Sequence, residues 1–122
     1  TLDELRMEVW DRVKVQREAA IDAGAPTPHG AVDSDTDGRN NVAGATLAAN
    51  IALSSGQPYS ITWTLLDNST VTLDADAMIG LGMAVLAHVN ACHERARQLR
   101  AEIEAAQTMA ELLAIDVGAG WP

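Results

Sequence analysis

The amino-acid sequence predicts an α+β domain dominated by helix: three to four helices, one of them long and near the carboxyl end, packed on a small antiparallel β-hairpin or three-stranded sheet. Three observations carry this. Apolar residues recur at spacings of three and four within Leu2 to Ala23, Thr36 to Ser54 and Ala75 to Ala106, as in a helix with one buried face. Between the second and third of these stretches, Tyr59 to Leu73 alternates apolar residues with Thr, the two-residue repeat of a strand. Gly and Pro punctuate the first two joins, at Gly24, Pro26 and Pro28 and again at Gly56 and Pro58, where neither repeat continues.

The first helix, residues 2–23, places Leu2, Leu5, Val9 and Val13 on one face, and Thr1 with Glu4 forms a capping-box pair at its start. Trp10 lies toward the edge of that stripe, as a core anchor or a contact residue. A short strand is expected near residues 30–33. Ser34 to Asp37 then opens a second helix, 36–54, with Val42, Ala43, Leu47, Ala48 and Ile51 expected inward. The hairpin spans 59–73, with Asp67-Asn68-Ser69 as turn residues. Two strands alone are marginal in water, so the Gly30 segment is the candidate third strand. Asp74 caps the long helix, 75–106, whose Met78, Gly82, Val85, Val89, Cys92, Ala96, Leu99 and Ile103 form a helix-packing seam. Its second half, rich in Arg and Glu, is expected along a solvated surface or in an oligomer. Thr108 and Glu111 introduce a short helix, 109–115, and the tail 116–122 ends in Trp121, a residue expected to dock.

At 122 residues the chain fits one domain, and folding at that length buries roughly 60 to 70% of the accessible surface, enough for an apolar core without staples. The lone Cys92 has no cysteine partner within the chain, which agrees with synthesis in the cytosol. Net charge is −9 and the eight Lys and Arg residues are scattered among acids. Phosphate binding draws on clustered positive charge, so nucleic acid is not expected as a partner. The longest uncharged apolar run, Ala77 to Val89, falls short of the roughly 20 residues of a spanning helix, and no membrane partner is expected. No signal peptide is evident, and the opening on Thr1 instead of Met suggests a trimmed amino terminus. Aromatics are few, Phe is absent and Ala abundant. Helix contacts made of small side chains gain less from burial, and association with copies or partners would offset that.

Asp33-Ser34-Asp35-Thr36-Asp37-Gly38 matches the first half of a calcium loop, in which alternate carboxylates converge on a hard cation. The second half departs: Asn40 stands where an aliphatic residue is wanted and Gly44 where the loop needs Glu. Asp33, Asp35 and Asp37 are therefore the metal candidates, with helix capping as the simpler account. His88, Cys92 and His93 share one helix, but a structural zinc needs four ligands and only the distant His29 is left to add. A Cys–His nucleophile is disfavoured because His93, adjacent to Cys92, points about 100° away on the helix. No phosphate loop or nucleophile elbow appears, so neither an enzyme nor a cofactor is expected. Trp10, Tyr59 and Trp121 remain as candidate partner contacts, with Trp63 expected in the core.

Taken in order, the helix opening Leu2-Asp3-Glu4-Leu5-Arg6, the step Ser34-Asp35 with the following Arg39, and the aromatic strand at Trp63 with its Asp67-Asn68-Ser69 turn form a pattern. An alanine-rich helix with a mid-helix His and the closing Gly120-Trp121-Pro122 complete it. The pattern resembles domain of unknown function 4376, found in tail-associated proteins of tailed bacteriophages, often toward the end of chains involved in tail fibre assembly. The resemblance covers nearly the whole chain. One departure is Gly38, where that family commonly has Ser before the Arg.

What the resemblance implies is a non-enzymatic tail-associated protein, a tail fibre assembly or attachment factor acting through protein–protein contacts with a tail fibre or another tail protein. The alternative is a permanent component of tail or baseplate, a homo-oligomer joined through the long helix. The expected location is the bacterial host cytoplasm during phage assembly, or the virion tail. No catalytic residue is carried over.

Overall fold

The computed structural model describes residues Thr1 to Pro122. Four helices and one hairpin follow in the order α1 (Leu2–Asp22), α2 (Thr36–Ser54), β1 (Ile61–Thr64), β2 (Thr70–Leu73), α3 (Ala75–Ala105) and α4 (Met109–Leu113). This is the helix-dominated α+β class with its long third helix. The chain divides into two units, one formed by Thr1–Ala20 with Val89–Pro122 and the other by Ile21–His88.

The first unit is a helical assembly. Val9 and Val13 of α1 are buried with Ala96, Leu99 and Ile103 of α3 and Leu112 of α4, so this half of the α3 seam is satisfied within the chain. Thr1 Oγ1 accepts the Glu4 amide at 3.2 Å, and Thr108 Oγ1 accepts that of Glu111 at 3.1 Å. Glu111 Oε2 in turn accepts the Gln107 amide at 2.7 Å, so the acid near the start of α4 also satisfies an amide just before it. Arg6 Nη2 donates to the Ala106 carbonyl at 2.7 Å, beyond the end of α3, where a cation favours the dipole. The tail is ordered: Arg95 Nε donates to Ala119 O at 3.0 Å, and Trp121 Nε1 donates to Val117 O at 2.9 Å, with the ring packed on the unit's core.

The second unit packs α2, the hairpin and the first half of α3 around Val42, Ala49, Leu65, Leu73, Met78, Leu81 and Val85. The strands pair antiparallel with Ile61 opposite Leu73 and Trp63 opposite Val71. Their apolar residues turn inward and their Thr residues outward, as the alternation predicts. Asp67 Oδ1 accepts both the Ser69 amide at 2.9 Å and the Ser69 hydroxyl at 2.5 Å, and Asn68 takes the left-handed conformation, φ 67°, closing the turn. Asp74 Oδ1 accepts the Ala77 amide at 2.9 Å, capping α3.

Three expectations need correction. The segment near Gly30 adds no third strand: Ala25 and Val32 form an isolated antiparallel bridge, while Ala31 O accepts the Leu66 amide at 2.8 Å beyond β1. The sheet therefore has two strands. Secondly, of the α2 residues expected inward only Val42 is buried; Leu47 is 62% and Ile51 59% exposed. The inward face instead carries Gly38, Val42 and Ala49 with the partly buried Ala45. Small residues occupy it because α3 runs close: a Cβ on Gly82 would overlap the Thr46 side chain. Thirdly, α3 contains an 18-residue window of mean hydropathy 1.4, so by length and composition it passes for a membrane span although its uncharged run is short. Met78, Leu81, Cys92 and Leu99 of that helix are buried within the fold.

Candidate functional site

The most built-up polar constellation lies where α1 ends and α2 begins, and its parts are Ser34, Asp35 and Arg39. The last carbonyls of a helix lack intrahelical partners. Ser34, fully buried, donates from Oγ to the Ile21 carbonyl at 2.7 Å and accepts the Gly24 amide at 3.0 Å. Its neighbour Asp35 is the N-cap of α2, accepting the Gly38 amide at 2.8 Å. Arg39 donates to the Ser34 carbonyl at 2.7 Å and to Asp22 Oδ1 at 3.2 Å. One serine thus ends a helix, the next residue starts another, and an arginine one turn on ties both. Each of these bonds joins one helix end to the other or to the segment between them. Gly38 is buried beneath it, and a Cβ there would run into the Asp33 carbonyl. That contact is the physical reason for Gly at this position.

Beside this joint opens a groove of about 820 Å³. Asp33, Asp35 and Asp37 line it together with Tyr59, Ile61 and Trp63. Tyr59 donates its hydroxyl to the Ala45 carbonyl at 3.2 Å, which fixes its ring. The groove collects residues from a loop, a helix start and a strand, distant in sequence. The signal that would have found its aromatic wall is the alternation Tyr59, Ile61, Trp63, which places these three on one face of a strand. Sequence reasoning singled out the acids and Tyr59 separately and missed that the fold joins them.

The other candidates lie elsewhere. Trp10 is half-buried beneath the Arg100 guanidinium, 4.6 Å from its ring centre, and Trp121 is packed on the core of its own unit. Trp63 is half-buried against the second core instead of fully enclosed. His88 is 6% exposed and Cys92 fully buried. Burial, helped by the negative charge of Glu18, pushes the Cys92 thiol above its ordinary 9.0, the reverse of what a reactive cysteine needs. No group of three or more His, Cys, Asp or Glu side chains is gathered at metal-binding spacing. Asp33, Asp35 and Asp37 share the groove without converging on a cation site.

Fold and site together define a small helix-rich α+β domain whose polar motif is architectural and whose concave surface is acidic and aromatic. The chain belongs to the family described as Domain of unknown function (DUF4376), whose model matches residues 4–118. No curated protein and no solved structure matches it.

Proposed function

We propose that this chain is a non-enzymatic, tail-associated bacteriophage domain that works through protein–protein contacts, as a tail fibre assembly or attachment factor. One structural observation carries the contact reading. Leu47, Ile51 and Leu53 of α2 and Met83 and Leu86 of α3 are each more than half exposed, and residues 40–66 include no Asp, Glu, Lys or Arg. Large aliphatic side chains left exposed, without charges among those of α2, mark surface that association would cover. The tail assignment rests on the order of motifs from Leu2-Asp3-Glu4-Leu5-Arg6 to Gly120-Trp121-Pro122. In this reading the partner is a tail fibre or other tail protein, with no nucleic acid, membrane or cofactor, and the domain acts in the host cytoplasm.

The second reading is a permanent homo-oligomeric component of tail or baseplate. It is favoured by the same uncharged stretch, since two chains of net charge −9 meet there without like charges opposed. Mass spectrometry of purified particles against infected-cell lysate separates the two. Abundance in the lysate, absence from particles and co-purification with the fibre protein are the expected result. Stoichiometric presence in particles would replace the assembly factor with the structural component, and the lack of any tail protein in either fraction would overturn the tail assignment.

A further inference from the structure

The structure assigns to the groove beside α2 a particular kind of occupant: an extended segment of another protein that presents arginine between apolar residues. This inference deepens the protein-contact reading and rests on it.

Three carboxylates line the groove and no Lys, Arg or His does. Asp33 and Asp37 are exposed and make no ion pair or side-chain hydrogen bond, whereas one oxygen of Asp35 is taken by the Gly38 amide. The cation nearest in sequence, Arg39, is committed to Asp22 and to the Ser34 carbonyl. The negative potential of this wall is therefore uncompensated from within its own joint.

The aromatic residues of the same lining decide between cations. Tyr59 and Trp63 are half-buried and both line the groove. A guanidinium stacks on such a ring while its N–H fork meets a carboxylate, a combination that a strongly hydrated ammonium matches less well. Ala45, Ala48 and Ile61 add apolar surface to the same lining. At about 820 Å³ the groove is far larger than one guanidinium, so the fit is to a segment whose arginine has apolar neighbours. Recognition then resembles the known capture of charged motifs with complementary clusters, with the signs exchanged.

The test uses the whole chain and two synthetic peptides, one with alternating leucine and arginine and one with citrulline, neutral and nearly isosteric, in place of arginine. Binding is followed in ¹⁵N–¹H spectra, where three indole signals report Trp10, Trp63 and Trp121 separately. The expected result is movement of the Trp63 indole and of amides around Asp33–Ala48 and Tyr59–Thr64, with Trp10 and Trp121 still. The citrulline peptide should bind at least about tenfold more weakly, and D33N/D37N, which spares the Asp35 cap, should weaken the arginine peptide about three- to tenfold with unchanged melting. Equal binding of both peptides, shifts spread over Glu94, Glu102 and Glu104, or an indifferent double variant would each overturn the assignment. Such a failure leaves the broader contact reading standing, because that reading is judged by particle composition and fibre co-purification.

Discussion

Replacing Ser34 by Ala is the most informative single perturbation of this fold, because one hydroxyl serves two backbone groups. Ser34 is fully buried, and its Oγ donates to the Ile21 carbonyl at 2.7 Å while accepting the Gly24 amide at 3.0 Å. Alanine fills nearly the same space, so the cavity it leaves is small. The cost comes from the two stranded groups. A buried polar group left without a partner costs about 1–3 kcal/mol, and the Gly24 amide is only partly buried, so water relieves part of its share. The expected loss is about 2–4 kcal/mol, a large fraction of the roughly 5–15 kcal/mol that holds a domain folded. Urea titration followed by tryptophan fluorescence measures it. D35A is the internal scale: it removes one cap bond and should cost about 1 kcal/mol. A Ser34→Ala change below about 0.5 kcal/mol, or one smaller than that of Asp35→Ala, would refute the claim that this serine joins α1 to α2.

Four further outcomes follow from named contacts. Thr46 Oγ1 is buried without a hydrogen-bond partner, so T46V should hold or raise stability by up to about 1 kcal/mol in the same urea assay. The Asp67 carboxyl is held below its ordinary 3.8 by the Ser69 hydroxyl and then by the Ser69 amide; Ser69→Ala should return it toward 3.8, as read by NMR titration. The sign of the linkage is that of a depressed acid: the contribution of Asp67 is present above 3.8 and fades as pH falls through the folded value. Cys92 has the opposite sign, because its folded thiol ionises above 9.0. Its contribution is intact below that pH and lost as pH rises through the folded value, and iodoacetamide at pH 8 should label the native chain far more slowly than the urea-unfolded one. Millimolar calcium should leave the melting temperature unmoved, since Asp33, Asp35 and Asp37 do not gather at metal-binding spacing.

Most element boundaries were legible because local chemistry sets them. Helix α2 runs from Thr36 to Ser54, the range predicted from the Ser34–Asp37 start and the Gly56 and Pro58 stop. The α3 seam was equally readable, since apolar residues repeat there at spacings of four and three and, from Glu94 on, charges mark the outer face. The lateral face of α2 was not. With no charge from Asn40 to Ser54, nothing in the residues distinguishes inside from outside, and hydrophobicity alone selects Leu47 and Ile51. Packing selected size instead: Gly38, Val42, Ala45 and Ala49 permit an approach close enough for Thr46 to meet Gly82. The candidate site was legible in pieces only, since nothing short of the fold brings Tyr59 and Trp63 into one groove with Asp33 and Asp37.

That same choice of small residues links the fold to the proposed role. A helix that buries its small residues and exposes its larger aliphatic ones forgoes burial that it could have had, because each fully buried Leu or Ile contributes about 1.5–3 kcal/mol. Within a lone domain this arrangement is a loss of stability. It becomes favourable when another surface covers Leu47 and Ile51, because the burial withheld from folding is then released on binding. The Ser34, Asp35 and Arg39 joint fixes where α2 starts and the Thr46–Gly82 contact limits its approach to α3. Together they hold Leu47 and Ile51 outward, and in the proposed role Ser34, Asp35 and Arg39 would serve recognition indirectly, through the orientation of the helix that they anchor.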